Sequence, residues 1–244
     1  MFLRRRVIRS FGFGESDAEK MLGDLTARDR NPDVGITASE AVISLWVSAR
    51  SPTADEADRL CNETCELVKE RLGDAVYGDG DDELHDVVAR LLNAQTFSVA
   101  LVEGATTGGQ ISMWMSESPE LASVVTFSKI VPGEWNAEAL RTLNLEVPLS
   151  LLTKPENWLE TAAEINKKVR LHCKVDFLLF SSPFYDDQLD SGVVMRHGHV
   201  AIGAPDGIQS FDVSMSGNLA IFRQRAARTV LNRLRLIVKS EFSG

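Results

Sequence analysis

The chain has 244 residues, of which 44% are hydrophobic and 25% charged, and its formal net charge at neutral pH is -9. This length allows one large domain or two small ones, with enough apolar residues for a core. The acidic balance argues against nonspecific binding to nucleic acid or to anionic membranes, and no segment of the sequence is apolar enough to span a bilayer.

The cysteines and the start of the chain bear on its compartment. Three cysteines, an odd number, argue against a disulfide framework. The basic segment 3–9 is not followed by the long apolar run of a secretory signal, so we expect a cytoplasmic protein. Cys61 and Cys65 lie on one side of a predicted helix without an obvious further set of ligands, and we expect buried thiols rather than a metal site.

The first 78 residues predict a small α+β domain. Thr53 and Glu56 form a capping box in front of a helix that has one apolar stripe, and Gly73 ends that helix. Upstream of this helix the pattern predicts a helix over 15–27, a turn at 31–35, and a β-hairpin of segments 36–38 and 42–47.

Helices and strands alternate after an acidic, turn-prone linker at Asp79–Asp82. This alternation predicts a layered α/β domain over 81–244, with helices packed on a mixed sheet. The expected elements are a helix from Leu84, a strand over 97–102, a helix near 109–116, a strand over 121–130, a helix behind a capping box of Thr153 and Glu156, a strand over 175–180, a strand from 193 to 202, a hairpin turn at Asp206-Gly207, and a last helix over 218–238.

A turn of small residues, 103–109, follows the strand over 97–102. Such a turn exposes backbone N–H groups at the positive end of the next helix, which favours binding of a phosphate or a carboxylate. The segment reads Glu103-Gly104-Ala105-Thr106-Thr107-Gly108-Gly109 and contains no Ser, Cys or Lys.

Four segments, which agree in order and spacing, carry a resemblance to the competence/damage-inducible CinA family. They are 6–16, ending in Gly-x-Gly-Glu-Ser; 31–36, Asn-Pro-Asp-Val-Gly-Ile; 71–78, Arg-Leu-Gly-Asp-Ala-Val-Tyr-Gly; and 84–92, which opens on Leu-His-Asp-Val-Val. The resemblance implies an α/β protein with a KH-like middle domain over 1–78 and a nicotinamide mononucleotide deamidase-like domain over 81–244. It also implies a large domain, similar to molybdopterin-binding proteins, that would lie before residue 1.

The resemblance implies a chemistry that this chain does not fully match. In the family's deamidase domain a strand ends in Glu-Ser-Cys-Thr-Gly-Gly, whose Ser attacks the carboxamide, and a Lys after a Tyr-Ser-Asn segment assists. This is acyl transfer, which needs an activated hydroxyl, a base and donors for the oxyanion. Aligned on Glu103, the nucleophile position holds Gly104; aligned on Gly108 and Gly109, it holds Ala105.

Other residues remain as candidates for the same chemistry. One extra residue in the turn lets Thr106 or Thr107 supply a hydroxyl, with Lys129 as the nearby amine. Arg223 resembles an arginine on the family's last helix and is expected to bind a phosphate or to lie in solvent. His197 and His199 share a strand face, but no carboxylate or Cys in register marks a metal site.

Three hypotheses follow. The first is a CinA-family protein with an impaired deamidase-like domain that keeps a nucleotide- or anion-binding pocket at 103–109. The second is an active amidase that uses Thr106 or Thr107. The third is a non-enzymatic assembly module that forms a homo-oligomer, expected to be a dimer. We expect no cofactor and no metal, and no RNA binding because the KH-like part lacks a basic Gly-x-x-Gly loop.

Overall fold

The computed structural model describes residues 1–131, 133, 135, 136, 138 and 157–242. The chain divides into two units, Met1–Val87 and Val88–Gly244. The domain limits predicted from sequence, 1–78 and 81–244, stay a prediction. No helix within the described ranges is both long and apolar enough to cross a bilayer.

The first unit has four strands and two helices on one face of their sheet. In chain order they are β1 (Phe2–Phe11), α1 (Glu15–Leu22), β2 (Asp33–Ser39), β3 (Val42–Ser51), α2 (Ala54–Leu72) and β4 (Val76–Asp79). The strand order is β2-β3-β1-β4, and each pairing is antiparallel. Ile8 of β1, Leu45 of β3, Leu22 of α1 and Val68 of α2 meet in one buried cluster, as expected for a two-layer α+β unit.

The predicted helix, hairpin and capped helix of this unit are confirmed. Thr53 Oγ1 accepts the Glu56 N–H at 3.4 Å, and the chain leaves α2 at Gly73, whose φ is 52°. Strand β1 was missed because its arginines suggested only a basic segment. Arg4 and Arg6 both bind the Asp58 carboxylate, at 2.8 and 3.0 Å, so their charge is neutralised within the fold.

The segment Asp79–Asp82 is only in part the turn that the sequence predicted. Its first residue ends β4, in which Asp79 pairs with Ile8, and the Gly80 N–H donates to the Val7 carbonyl at 2.8 Å. The sequence did not predict this short edge strand, because its four residues include too few apolar positions to show the alternation typical of a strand.

The two buried cysteines of α2 lead to a labelling prediction. Cys61 and Cys65 are buried, and burial raises the pKa of the Cys61 thiol and raises that of Cys65 to about 12. Cys173, by contrast, is only half-buried. Because the thiolate is the reactive form, we expect an aromatic disulfide reagent at pH 8 to label Cys173 rapidly and the other two only on unfolding. A Cys173→Ser variant that still shows a rapidly reacting thiol would contradict this.

The second unit is built on a six-stranded mixed sheet. After α3 (Leu84–Ala94), which crosses the division between the units, its elements are β5 (Val99–Glu103), α4 (Gln110–Met115), α5 (Pro119–Ala122), β6 (Val125–Ile130), α6 (Trp158–Cys173), β7 (Phe177–Ser181), β8 (Tyr185–Gln188), β9 (Val194–Ala204), β10 (Gly207–Ser216) and α7 (Leu219–Phe242). The order is β10-β9-β7-β5-β6, with β8 paired to the first half of β9. Strands β5, β6 and β7 are parallel, whereas β9 runs against β7.

Helices cover both faces of this sheet. Val102, Phe180 and Ala201 pack against Ile165 of α6, and we call this side the α6 face. Successive strand residues alternate between faces, so Glu103, Ser181 and Val200 lie on the opposite side, the α7 face. The expected layered α/β fold with a mixed sheet is confirmed.

Two segments of the second unit differ from the prediction. Residues 121–130 do not form one strand: Ser118 Oγ accepts the Leu121 N–H at 3.2 Å and Pro119 opens the short helix α5, so β6 begins only at Val125. The helix after the second capping box is present as α6, but Thr153 and Glu156 themselves lie outside the described residues.

Candidate functional site

The turn after β5 is fastened to the segment that follows β7. The Gly104 N–H donates to both the carbonyl and the hydroxyl oxygen of Ser181, at 2.8 and 3.0 Å, and the Thr106 N–H donates to the Ser182 carbonyl at 3.0 Å. Gly108 and Gly109 have φ values of 62° and 88°, in the left-handed region that favours glycine. The turn lies at the carboxyl edge of the parallel strands, where α/β sheets bind ligands.

Glu103 has a role that the sequence did not reveal. Its carboxylate is fully buried and accepts the N–H groups of Ile111 and Ser112, at 3.1 and 2.8 Å. It also accepts the Ser112 hydroxyl at 2.5 Å, and that hydroxyl lies 2.7 Å from the hydroxyl of Ser128 on β6. The first turn of α4, which was expected to receive a ligand anion, is therefore capped by the protein's own carboxylate.

Gly104 has no room for a side chain. A Cβ atom built on it would lie 2.5 Å from both the carbonyl carbon and the carbonyl oxygen of Ser182, and 2.7 Å from the Ser181 carbonyl oxygen. These are backbone atoms, which cannot move aside as a flexible side chain can. A serine at this position is therefore incompatible with the observed contact between the turn and β7. The neighbouring Ala105 carries only a methyl group, 9% of the residue being exposed.

Both threonines of the turn are fully buried. Thr107 Oγ1 lies 2.6 Å from Ser181 Oγ, and Thr106 Oγ1 lies 3.4 Å from Ser182 Oγ. Thr106 also packs against Gly198, where any Cβ would collide with it. The hydroxyls thus hold the turn against the strand instead of facing a substrate.

Lys129 is not brought to the threonines. Ser128 faces α4 through its hydrogen bond to Ser112, so the alternation of β6 directs Lys129 to the α6 face. Its side chain is exposed, and within the described ranges it forms no hydrogen bond with either threonine. The combination of Thr106 or Thr107 with Lys129 is therefore not assembled here.

Arg223 lies on α7, the last helix, and reaches the turn after β5. From α7 its Nε donates to the Ala105 carbonyl at 3.2 Å, and its guanidinium covers Gly108 so closely that a Cβ there would collide with it. Gln110 Nε2 and Gln224 Oε1, on the two helices beside it, are buried without a hydrogen-bond partner in the described part of the chain. The guanidinium of Arg223 and the amide N–H of Gln110 are donors that can bind a phosphate, whereas Gln224 Oε1 can only accept.

The histidine pair has partners other than a metal. His197 Nδ1 lies 2.8 Å from Ser214 Oγ, and His199 Nδ1 lies 2.5 Å from Asp212 Oδ1 on β10. The residues with described positions contain no group of three or more His, Cys, Asp and Glu side chains suited to a metal ion. The Asp212–His199 pair joins residues 13 apart across a hairpin, so only the register of β9 and β10 could have revealed it.

Sequence comparisons show which known proteins the chain resembles. Residues 5–78 match the family model of the damage-inducible protein CinA KH domain. A CinA-like protein of Dictyoglomus thermophilum is 32% identical over 154 residues, which are 62% of this chain and 36% of that protein. A putative competence-damage inducible protein of Bacillus mycoides is 26% identical over 235 residues, 91% of this chain and 53% of that protein. The chain thus spans between about a third and a half of these relatives.

Solved structures share the fold. A competence or damage-inducible protein from Enterobacter asburiae superimposes with a TM-score of 0.50 at 18% identity, covering 64% of this chain and 96% of that structure. A CinA superfamily protein from Klebsiella pneumoniae gives a TM-score of 0.51 at 17% identity, covering 65% of this chain and 99% of that structure. Residues 5–78 thus match a CinA KH domain, and the chain is similar in sequence to CinA-like and competence-damage inducible proteins, with a fold that CinA superfamily structures share.

Proposed function

We propose that the second unit is a nicotinamide mononucleotide deamidase-like domain that binds a nucleotide but has lost the hydrolytic nucleophile. One observation carries the proposal: in neither register does the position of the family's serine hold a nucleophile. Aligned on Glu103 it is Gly104, where backbone atoms of Ser182 exclude any side chain, and aligned on Gly108 and Gly109 it is Ala105, which has only a methyl group. The remaining hydroxyls of the turn are buried and bonded to Ser181 and Ser182. Acyl transfer through a protein hydroxyl therefore lacks its attacking group.

The binding half of the proposal depends on Arg223. Its guanidinium is only half-buried, and only its Nε hydrogen-bonds to a described residue, so both terminal nitrogens are available for a phosphate. A bidentate arginine–phosphate pair is among the stronger polar contacts that proteins make. The homodimer expected from the sequence stays a prediction, which sedimentation at micromolar concentration would check.

The expected result is binding without turnover. Nicotinamide mononucleotide should bind in a calorimetric titration, and ammonia release should stay far below an ordinary turnover of about 1 per second. Arg223→Ala should weaken binding about tenfold, because a charge-assisted contact is lost. Arg225→Ala, at an exposed position two residues along α7, is the matched control and should bind as the native chain does.

Two outcomes would refute the proposal. Ammonia release at about 1 per second or faster would show that a nucleophile is present. Absence of nicotinamide mononucleotide binding at millimolar concentration would show that the nucleotide site is lost together with the serine.

A further inference from the structure

A groove of about 520 Å³ lies between α6 and the hairpin that joins β9 to β10, and we call it the hairpin groove. It is lined by Asn166, Lys167, Arg170 and Leu171 of α6 and by the turn 204–207. Gly203, just before this turn, pairs with Leu178 near the start of β7, whereas the turn after β5 lies beyond the other end of the parallel strands. The hairpin groove is therefore at the opposite edge of the sheet from the proposed nucleotide site.

Two cations of α6 line the hairpin groove side by side. Lys167 and Arg170 are three residues apart, so they are neighbours on the helix surface, about 4.5 Å apart along its axis. Arg170 Nη1 donates to the Asp176 carbonyl at 3.2 Å, which holds the guanidinium in place and leaves its Nε and Nη2 without a partner among the described residues. Neither cation forms an ion pair within the described ranges, so both can bind an anion.

The hairpin groove also contains groups that accept hydrogen bonds. Asp206 lines it from the hairpin, yet in the described part of the chain its carboxylate pairs with neither cation. Asn166 Oδ1 is buried without a hydrogen-bond partner in the same part of the chain, and a Cβ on Gly203 would collide with this amide, which therefore lies against β9. Buried acceptors are rarely left without a donor, so Asn166 favours a ligand that brings one.

We propose that the hairpin groove binds a small amino dicarboxylic acid. Its two carboxylates bind Lys167 and Arg170, and its ammonium group lies between Asp206 and Asn166. Such a ligand carries one net negative charge, which complements the two cations and one carboxylate of the groove. Two carboxylates joined by a chain of two or three carbon atoms also match the spacing of the two cations.

Other small acids leave part of the hairpin groove unmatched. An amino acid with a single carboxylate leaves one of the two cations without an anion. A dicarboxylate without an ammonium group brings no donor for Asp206 or for the buried Asn166 Oδ1. The exposed Leu171 adds apolar surface beside the carbon chain of the ligand.

The test uses two probes, L-glutamate and glutarate, and glutarate differs only by lacking the ammonium group. In titrations of the native chain followed by amide NMR, glutamate should bind about tenfold more tightly than glutarate, the effect of the contacts to the ammonium group. Shifts should be largest at the turn 204–207 and absent at Gly108 and Gly109. Asp206→Asn and Asn166→Ala should each reduce the preference for glutamate to about threefold or less, with glutarate binding unchanged.

Variants of the cations test the carboxylate contacts. Arg170→Gln should weaken both probes about tenfold, since the guanidinium is half-buried. Lys167→Gln should weaken both about threefold, because water screens a pair formed by an exposed lysine. Lys174→Gln is the matched control: Lys174 is exposed and follows the last residue of α6, outside the groove, and its variant should bind both probes as the native chain does.

Three results would overturn the assignment. The first is an absence of shifts at 204–207 in up to about 10 mM glutamate, a concentration at which even millimolar binding is seen. The second is equal binding of glutamate and glutarate by the native chain. The third is native-like binding by both Arg170→Gln and Lys167→Gln. None of these results bears on nucleotide binding at the other edge of the sheet.

Discussion

Replacing Glu103 by Gln is expected to destabilise the second unit by about 3 kcal/mol. The glutamine side chain has one acceptor oxygen and one NH₂ group, so it would turn a donor towards N–H or O–H groups that now donate to the carboxylate. Those groups are the amides of Ile111 and Ser112 and the Ser112 hydroxyl, and Glu103 is fully buried. Because the Glu103 side chain itself is fully buried, solvation cannot readily relieve the mismatch at its end of the network.

Urea unfolding followed by tryptophan fluorescence and circular dichroism would measure this loss. Glu120→Gln is the matched control, since Glu120 lies exposed on α5 of the same unit, and it should change the free energy of unfolding by less than about 0.5 kcal/mol. If Glu103→Gln unfolded within that same margin of the native chain, the carboxylate would not be the cap that we describe.

The second large effect is expected for Gly104→Ser, which supplies a hydroxyl in the register counted from Glu103. Its Cβ would stand 2.5 Å from the carbonyl group of Ser182, so β7 and the turn must separate. We expect a loss of about 3 kcal/mol in the free energy of unfolding, at the upper end of overpacking costs, and no gain of ammonia release. Chemical denaturation and a deamidation assay on the same sample would test both parts.

Two further variants separate the steric effect of Gly104→Ser from the effect of its hydroxyl. Gly14→Ser is the steric control: Gly14 has φ of -92°, its added Cβ would meet nothing closer than 4.0 Å, and serine is favoured at the helix N-cap that it occupies. Ala105→Ser adds a hydroxyl in the other register without a new Cβ; we expect it to fold and to remain inactive, because Lys129 faces away from the turn. Rapid ammonia release by either serine variant of the turn would show that the hydroxyl alone was missing.

Much of the fold was predictable because its elements carry strong local signals. Thr53 and Gly73 mark the ends of α2, and the continuous apolar run of β7 indicates a strand covered on both sides. Strands β1 and β4 lacked such signals, since one is rich in arginine and the other is four residues long. Their partners lie far away along the chain, and only the tertiary fold neutralises or pairs them.

The candidate site was predictable in position but not in chemistry. Small residues after β5 located the turn, and Arg223 does contact it. Glu103 was expected to help bind substrate, and the sequence could not show that its carboxylate folds back onto α4. Nor could it show that Thr106 and Thr107 are buried against serines 74 to 76 residues away. Which way a polar side chain faces depends on partners that local patterns do not contain.

The Glu103 network also has a consequence for how the second unit opens. Helix α4 is only six residues long, and isolated helices of that length do not persist in water. Its first amides are bonded to a carboxylate that belongs to β5, and Ser112 connects it to β6. Fraying of α4 alone would therefore leave the buried Glu103 carboxylate without the N–H groups that now donate to it. Local opening of α4 is therefore coupled to separation of β5 from β6, so that this short helix opens together with the sheet and not by itself.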